Sequence, residues 1–91
     1  MSVQISVDIT PNPQALKFTP DLGRPLIEGR GQSYNSSRDA ETSPLAKSLF
    51  AVPGVVSVFV TRSFVTVRKT EDADWDVITP QVEAVLQACF T

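Results

Sequence analysis

Alternating apolar and polar residues at the start of the chain predict a half-buried β-strand. Apolar side chains occupy every second position from Val3 to Ile9, which is the period of a strand with one face in a core. Pro11 and Pro13 predict a corner, because they lack a backbone N–H and hold the chain extended. Alternation resumes over residues 15–19. This second strand is either the partner of the first in a hairpin or the continuation of one bent strand.

The middle of the chain carries weaker signals and then a clear helix start. Prolines, glycines and polar residues over 20–41 predict a loop, with room for one weak strand between Leu26 and Asn35. Ser43 suits a helix N-cap and Pro44 suits the first helical position. The Pro53-Gly54 pair ends this helix after about two turns, so its apolar face must be stabilised by packing. That face comprises Leu45, Ala46, Leu49 and Phe50.

Two further strand patterns predict an antiparallel pair. Residues 55–60 are rich in β-branched side chains, and residues 64–69 alternate after a short polar connection. Val65 and Val67 share the face predicted to be buried. The face predicted to be solvent-exposed carries Phe64, Thr66 and Arg68.

An apolar stripe at spacings of three and four residues predicts a C-terminal helix. Acidic residues at its start favour a helix N-terminus, and the run lacks the glycine and distal glutamate of a calcium loop. Pro80 is compatible with this helix only if the helix starts shortly before it or if the turn before it is loose. The stripe comprises Trp75, Ile78, Val82, Val85, Leu86 and Cys89, with Trp75 as the lid of the core.

These elements, in the order β-β-(β)-α-β-β-α, predict a single α+β domain over residues 1–91. We expect two layers, a mostly antiparallel sheet of four or five strands with two helices on one face. No apolar run approaches the roughly 20 residues that span a bilayer. The start of the chain lacks the positive charge of a signal peptide, which favours a cytoplasmic protein. Met1 favours a free-standing chain over an excised domain.

Composition excludes most catalytic and metal chemistry. The chain has no histidine and one cysteine, Cys89, so it has no Ser-His-Asp or Cys-His arrangement and no C-x-x-C motif. The net charge is −2 and the basic residues are scattered, unlike the basic stripe of a nucleic-acid-binding protein. Because Cys89 falls on the apolar stripe, we interpret it as a small buried residue rather than a metal-binding thiolate. We predict a protein that is not an enzyme.

Six positions are candidates for partner binding, some at the proline corner and some on the exposed strand face. Asn12 and Lys17 could bind an anion, although Asn12 also suits turn geometry and Lys17 also suits a charged strand edge. The strand face, or a free edge strand, could bind a partner by β-augmentation. The six positions are Asn12, Pro13, Lys17, Phe64, Thr66 and Arg68.

Four segments together resemble the N-terminal domain of the Nfu, or NifU-like, iron–sulfur cluster scaffold proteins. They are TPNPQALKF, SPLAKSLF, PGVVSVFVTRSFVTVRK and WDVITPQV. The resemblance extends along nearly the whole chain in the family's order, and only Asp21–Glu41 departs from it. In the full-length proteins that this chain resembles, a C-x-x-C motif in a separate C-terminal domain holds the cluster. That motif is absent here, and the family assigns no catalytic residue to this domain. The chain therefore resembles the partner-binding part of a scaffold protein.

The resemblance implies an accessory module in iron–sulfur cluster assembly or delivery. Such a module would dock on an iron–sulfur scaffold or a recipient apo-protein, as a monomer or weak dimer. It would bind no cofactor alone, and an iron–sulfur cluster only within a complex. Two alternatives stay open. One is direct iron or cluster binding by a dimer bridged through Cys89, although a cluster usually takes four thiolates. The other is an interaction or regulatory domain unrelated to iron.

Overall fold

A five-stranded antiparallel sheet forms one layer of the domain. The computed structural model describes residues 4–21, 25–26, 31–36 and 38–90. The strand order across the sheet is β1-β2-β5-β4-β3, so β1 and β3 are its edges. The strands are β1 (Gln4–Ile9), β2 (Ala15–Asp21), β3 (Gln32–Tyr34), β4 (Val55–Val60) and β5 (Val65–Lys69).

The first two strands form a hairpin rather than one bent strand. Ile9 lies opposite Leu16, and the pairing continues to Gln4 opposite Asp21. The proline corner is therefore the hairpin turn. The hydroxyl of Thr10 accepts the N–H of Asn12 at 3.1 Å, and Asn12 Oδ1 accepts the N–H of Gln14 at 2.9 Å. These local bonds use the backbone donors next to the prolines, and they hold the turn without a donor from Pro11 or Pro13. Val3, the predicted start of β1, lies outside the described residues.

The weak strand predicted between Leu26 and Asn35 exists as three residues, β3, paired with β4. Residues 27–30 of that range lie outside the described residues. A 3-10 helix at Asp39–Thr42 was not predicted. A single turn has too few residues to show an apolar period. Its one local signal is Ser36, whose hydroxyl accepts the N–H of Asp39 at 3.2 Å.

Both predicted helices are present with the predicted caps. Helix α1 (Pro44–Phe50) begins after Ser43, whose hydroxyl accepts the N–H of Ala46 at 3.3 Å. Helix α2 (Trp75–Phe90) begins after Asp74, whose carboxylate accepts the N–H of Asp76 at 2.9 Å. The acidic residue before α2 thus caps the helix, as predicted.

Pro80 lies in the second turn of α2. Its missing N–H leaves the carbonyl four residues earlier without the usual donor. In the same turn the side-chain amide of Gln81 donates to the carbonyl of Val77 at 3.0 Å. The helix continues past Pro80 to Phe90.

The core lies between one face of the sheet and the two helices. Its members share nearly complete burial and come from β2, β4, β5, α1 and α2. They include Phe18, Leu49, Val58, Val60, Val65, Val67, Ile78, Val82 and Leu86. Trp75 packs against this cluster from its margin. The predicted two-layer α+β fold is confirmed. Within the described ranges, no helix has the length and hydropathy needed to cross a membrane.

Cys89 departs from its predicted environment. It was expected to be buried at the end of the apolar stripe, but it is exposed. Leu86, one turn earlier, is fully buried. The last turn of α2 therefore extends past the residues on which the helix packs, and helical periodicity alone does not show where such contact ends.

Candidate protein-binding surface

The sheet face opposite the helices carries a cluster of charged, aromatic and hydroxyl side chains. Strand pairing places Lys17 of β2 opposite Thr66 of β5, and Thr66 opposite Phe59 of β4. Arg68 is exposed and Phe59 is 39% exposed, whereas the other members are half-buried. We call Lys17, Phe59, Phe64, Thr66 and Arg68 the open sheet face.

A cation–π contact organises the open sheet face. The ammonium of Lys17 lies 4.5 Å from the centroid of the Phe64 ring. Phe64 is held by a tight turn, in which its N–H donates to the hydroxyl of Thr61 at 3.0 Å. Its carbonyl accepts the N–H of Thr61 at 2.8 Å. At exposed sites such a contact contributes about 0.5–1 kcal/mol. It thus keeps the Lys17 cation over the sheet instead of free in solvent.

The charges of this face are positive at its centre and negative at one border. Lys17 and Arg68 come from the adjacent central strands β2 and β5, with Arg68 opposite Ser57 of β4. Asp8 of edge strand β1 lies opposite Lys17. Such a surface can bind carboxylates, backbone carbonyls and aromatic edges. Its five members include no carboxylate, thiol or imidazole, so they supply no general base near neutral pH.

The proline corner forms a separate region on the helix-bearing side. The indole N–H of Trp75 donates to the carbonyl of Pro13 at 3.2 Å. The Lys69 ammonium lies 5.8 Å from the Trp75 ring. A cleft of about 320 Å³ lies beside this contact and has an apolar wall. It is lined by Ile9, Thr10, Pro11, Asn12, Pro13, Ala15, Leu16 and Trp75.

The structure therefore divides the six predicted partner-binding positions into two groups. Lys17, Phe64, Thr66 and Arg68 come together, whereas Asn12 and Pro13 lie at the corner. Asn12 uses its side-chain oxygen within its own turn. Phe59 was missed, although its position between Val58 and Val60 gave a usable signal. Alternation places it on the face opposite those two buried valines.

A second, wider cleft of about 500 Å³ lies where the end of α1 meets the start of α2. Its two carboxylates belong to Asp72 and Asp74, and Asp74 is engaged as the α2 cap. Across the described residues, no three His, Cys, Asp or Glu side chains converge on a common point. The wall of this cleft comprises Pro53, Gly54, Thr70, Asp72, Ala73, Asp74, Val77 and Ile78.

Cys89 does not fit a resident iron–sulfur cluster. Although the residue is exposed, partial desolvation of the sulfur raises the pKa of its thiol above the ordinary value. A raised pKa lowers the fraction of thiolate, which is the form that binds metal. A cluster usually requires four thiolates, and this chain contains one cysteine.

Comparison with known proteins identifies relatives of nearly the whole chain. The family model "Scaffold protein Nfu/NifU N terminal" matches residues 5–91. "NifU-like protein 5, mitochondrial" of Arabidopsis thaliana is 45% identical over 87 residues, covering 96% of this chain and 31% of that protein. The "NFU1 iron-sulfur cluster scaffold homolog, mitochondrial" of Drosophila sechellia is 42% identical over 91 residues, covering 98% and 31%. The solution structure of a NifU-like protein from Saccharomyces cerevisiae aligns with a TM-score of 0.84 at 27% identity. That alignment covers 96% of this chain and 77% of the yeast chain.

Two facts follow from these relatives. The chain spans about a third of the length of the curated relatives it matches, which is 31% for the Arabidopsis and Drosophila proteins. The expectation of a cytoplasmic protein is wrong on this comparison, because these relatives are named as mitochondrial proteins.

Proposed function

From its membership of the family of Nfu/NifU scaffold N-terminal domains, to which this chain belongs, we propose a function. The chain is a non-catalytic protein-binding module in iron–sulfur cluster assembly or delivery. The observation that carries the proposal is the match over residues 5–91 to scaffold proteins. The lack of a converging ligand set in the described part of the chain supports a role in docking. The names of the relatives support a mitochondrial site of action.

The open sheet face is the docking surface in this proposal, and its occupant is an acidic surface of an iron–sulfur scaffold or recipient apo-protein. Two cations on adjacent strands, Lys17 and Arg68, favour an acidic surface as the occupant. Phe59 and Phe64 add aromatic area beside these two cations. Partner anchors are enriched in aromatic and arginine side chains. Opposite charge also raises the rate at which two proteins associate.

The cluster itself is cargo in this proposal and stays on the partner protein. Cys89 contributes no ligand in this proposal, because a cluster usually takes four thiolates and this chain contains one cysteine. This chain holds the donor and recipient proteins close enough together for the cluster to be transferred. No reaction step requires a group from this chain.

Reversing the two cations of the open sheet face should strongly weaken partner binding. We expect the Lys17→Glu, Arg68→Glu double variant to bind its iron–sulfur partner at least about tenfold more weakly, because like charges then face each other. The measurement is anaerobic co-purification followed by identification of the captured proteins, with affinities from titration of the identified partner. The matched control is Arg38→Glu, Lys47→Glu, which makes the same charge change at two exposed positions outside this face.

Identification of an iron–sulfur scaffold or recipient protein, retained by the control and lost with the double variant, is the expected result. Equal loss in both double variants would show that net charge, not the open sheet face, controls binding. Identified partners with no connection to iron–sulfur proteins would instead establish an interaction domain unrelated to iron.

A further inference from the structure

Strand β1 is an edge strand with little protection against further pairing. It has six residues, whereas β3 at the opposite edge has three. Edge strands are usually kept short or carry lysine, proline or a bulge, because their free backbone groups accept a further strand. Between Gln4 and Ile9 the only charged side chain is Asp8, and there is no proline. The outer side of β1 can therefore hold another extended segment.

The helix-bearing side of β1 is apolar and poorly covered. Ile5, Val7 and Ile9 lie on this side, because they pair across the hairpin with Pro20, Phe18 and Leu16. Val7 is 38% exposed and Ile9 is 89% exposed. A partner strand that fits this edge should therefore place apolar side chains on the same side.

We propose that two copies of this chain associate by antiparallel pairing of their β1 strands about a two-fold axis at Val7. Val7 then lies opposite Val7 of the second copy, and Ile5 lies opposite Ile9 of the second copy. Directly opposed residues of antiparallel strands share a face, so the apolar rows of both copies become continuous. On the other face Ser6 lies opposite Asp8 of the second copy.

A second copy of the chain fits this edge because strand β1 is self-complementary. The same property determines the register in which the two β1 strands pair. An axis one residue earlier or later, at Ser6 or Asp8, is less suitable than one at Val7. Centring on Asp8 opposes the two carboxylates directly, which is destabilising. Centring on Ser6 leaves Ile9 without a partner inside β1. Only the axis at Val7 pairs all three apolar residues of β1 with one another and opposes no like charges.

The pairing places both helix layers on one side of a continuous sheet and both open sheet faces on the other. The same patch serves both copies, as in any two-fold interface. One strand pair buries less than the roughly 1,200 Å² of a stable interface, so the association is weak and depends on concentration. It does not use the open sheet face, so its failure leaves the proposed docking function untouched.

Charge substitutions at Val7 test both the surface and the register. Sedimentation velocity from micromolar to millimolar concentration should show dimer formation by the wild-type chain. Val7→Lys and Val7→Glu should each weaken it at least about tenfold, because two like charges then meet at the axis. An equimolar mixture of the two variants should restore association as a mixed dimer. Val77→Lys, the same change at an exposed valine of α2, should leave dimerisation unchanged.

Three results would overturn the proposal. They are a wild-type chain that stays monomeric at millimolar concentration, equal effects of Val7→Lys and Val77→Lys, and no recovery in the mixture. A wild-type chain that stays monomeric would instead favour an extended segment of another protein as the strand that pairs with β1. Should either Val7 variant fail to fold, amide hydrogen exchange of the wild-type chain gives an independent answer. Protection of outward-facing β1 amides must then rise with protein concentration, and concentration-independent exchange would exclude the pairing.

Discussion

Phe18→Ala should lower the free energy of unfolding by about 3–5 kcal/mol, the usual range for deleting a buried phenylalanine ring. Phe18 is fully buried and lies in the central strand β2, opposite Val65 of β5. Its removal leaves a cavity between the sheet and the helices. Because small domains are stable by only about 5–15 kcal/mol, the variant should be close to unfolding. Urea titration followed by circular dichroism measures the difference.

The matched control for this change is Phe59→Ala on the open sheet face. Phe59 is 39% exposed, so its loss should cost less than about 1 kcal/mol. Equal losses for the two variants would mean that the core does not lie on the side of the sheet to which we assign it.

Gly54→Ala should destabilise the domain by about 2–5 kcal/mol, the sum of backbone strain and overpacking. Gly54 has a φ of 96°, which an L-residue with a side chain rarely adopts. A Cβ at this position would lie 2.9 Å from Ala73 Cβ and 3.1 Å from Ile78 Cδ1. The Gly54 carbonyl also accepts the N–H of Thr70 at 3.0 Å. The glycine therefore lets the chain pass from α1 into β4 in close contact with the start of α2.

Thermal and urea unfolding of Gly54→Ala should be compared with those of Gly31→Ala. Gly31 lacks a left-handed φ, and a Cβ added there would lie 3.2 Å from the Val60 carbonyl oxygen and 3.3 Å from the exposed Phe59 ring, so its contacts are less close than those at Gly54. A double-mutant cycle with Ala73→Gly measures how much of the loss comes from the contact with Ala73. Removing the Ala73 methyl should recover that part and leave the backbone strain and the contact with Ile78 Cδ1. Equal losses at the two glycines, or a Gly54→Ala variant as stable as wild type, would contradict the close approach.

Local signals in the sequence predict α1 and the strand after it, because each boundary depends on neighbouring residues. Ser43 and Pro44 fix the start of the helix, and Pro53-Gly54 fixes its end. The first hairpin is different. A hairpin and a bent strand have the same alternation, so only long-range pairing distinguishes them. Whether Cys89 is buried also depends on where α2 stops packing against the rest of the domain. Helical periodicity does not encode that point.

The candidate binding positions illustrate the same division. Alternation along β5 is enough to place Thr66 and Arg68 together on an exposed face. The contact between Lys17 and Phe64 requires the register of β2 against β5, which the sequence does not give. Asn12 and Pro13 are candidates because they lie at the proline corner, where Asn12 and Lys17 could bind an anion. The structure separates them, since the turn uses Asn12 and Trp75 binds the carbonyl of Pro13.

The most direct measurement is the activity of iron–sulfur enzymes in cells that lack this protein and are complemented with its variants. The wild-type chain and Cys89→Ser should restore activity, whereas the Lys17→Glu, Arg68→Glu variant should fail at equal protein level. Restoration by the charge-reversed variant together with failure of Cys89→Ser would contradict a docking function and favour direct cluster binding. Unchanged enzyme activity after deletion would contradict the role in iron–sulfur cluster assembly altogether.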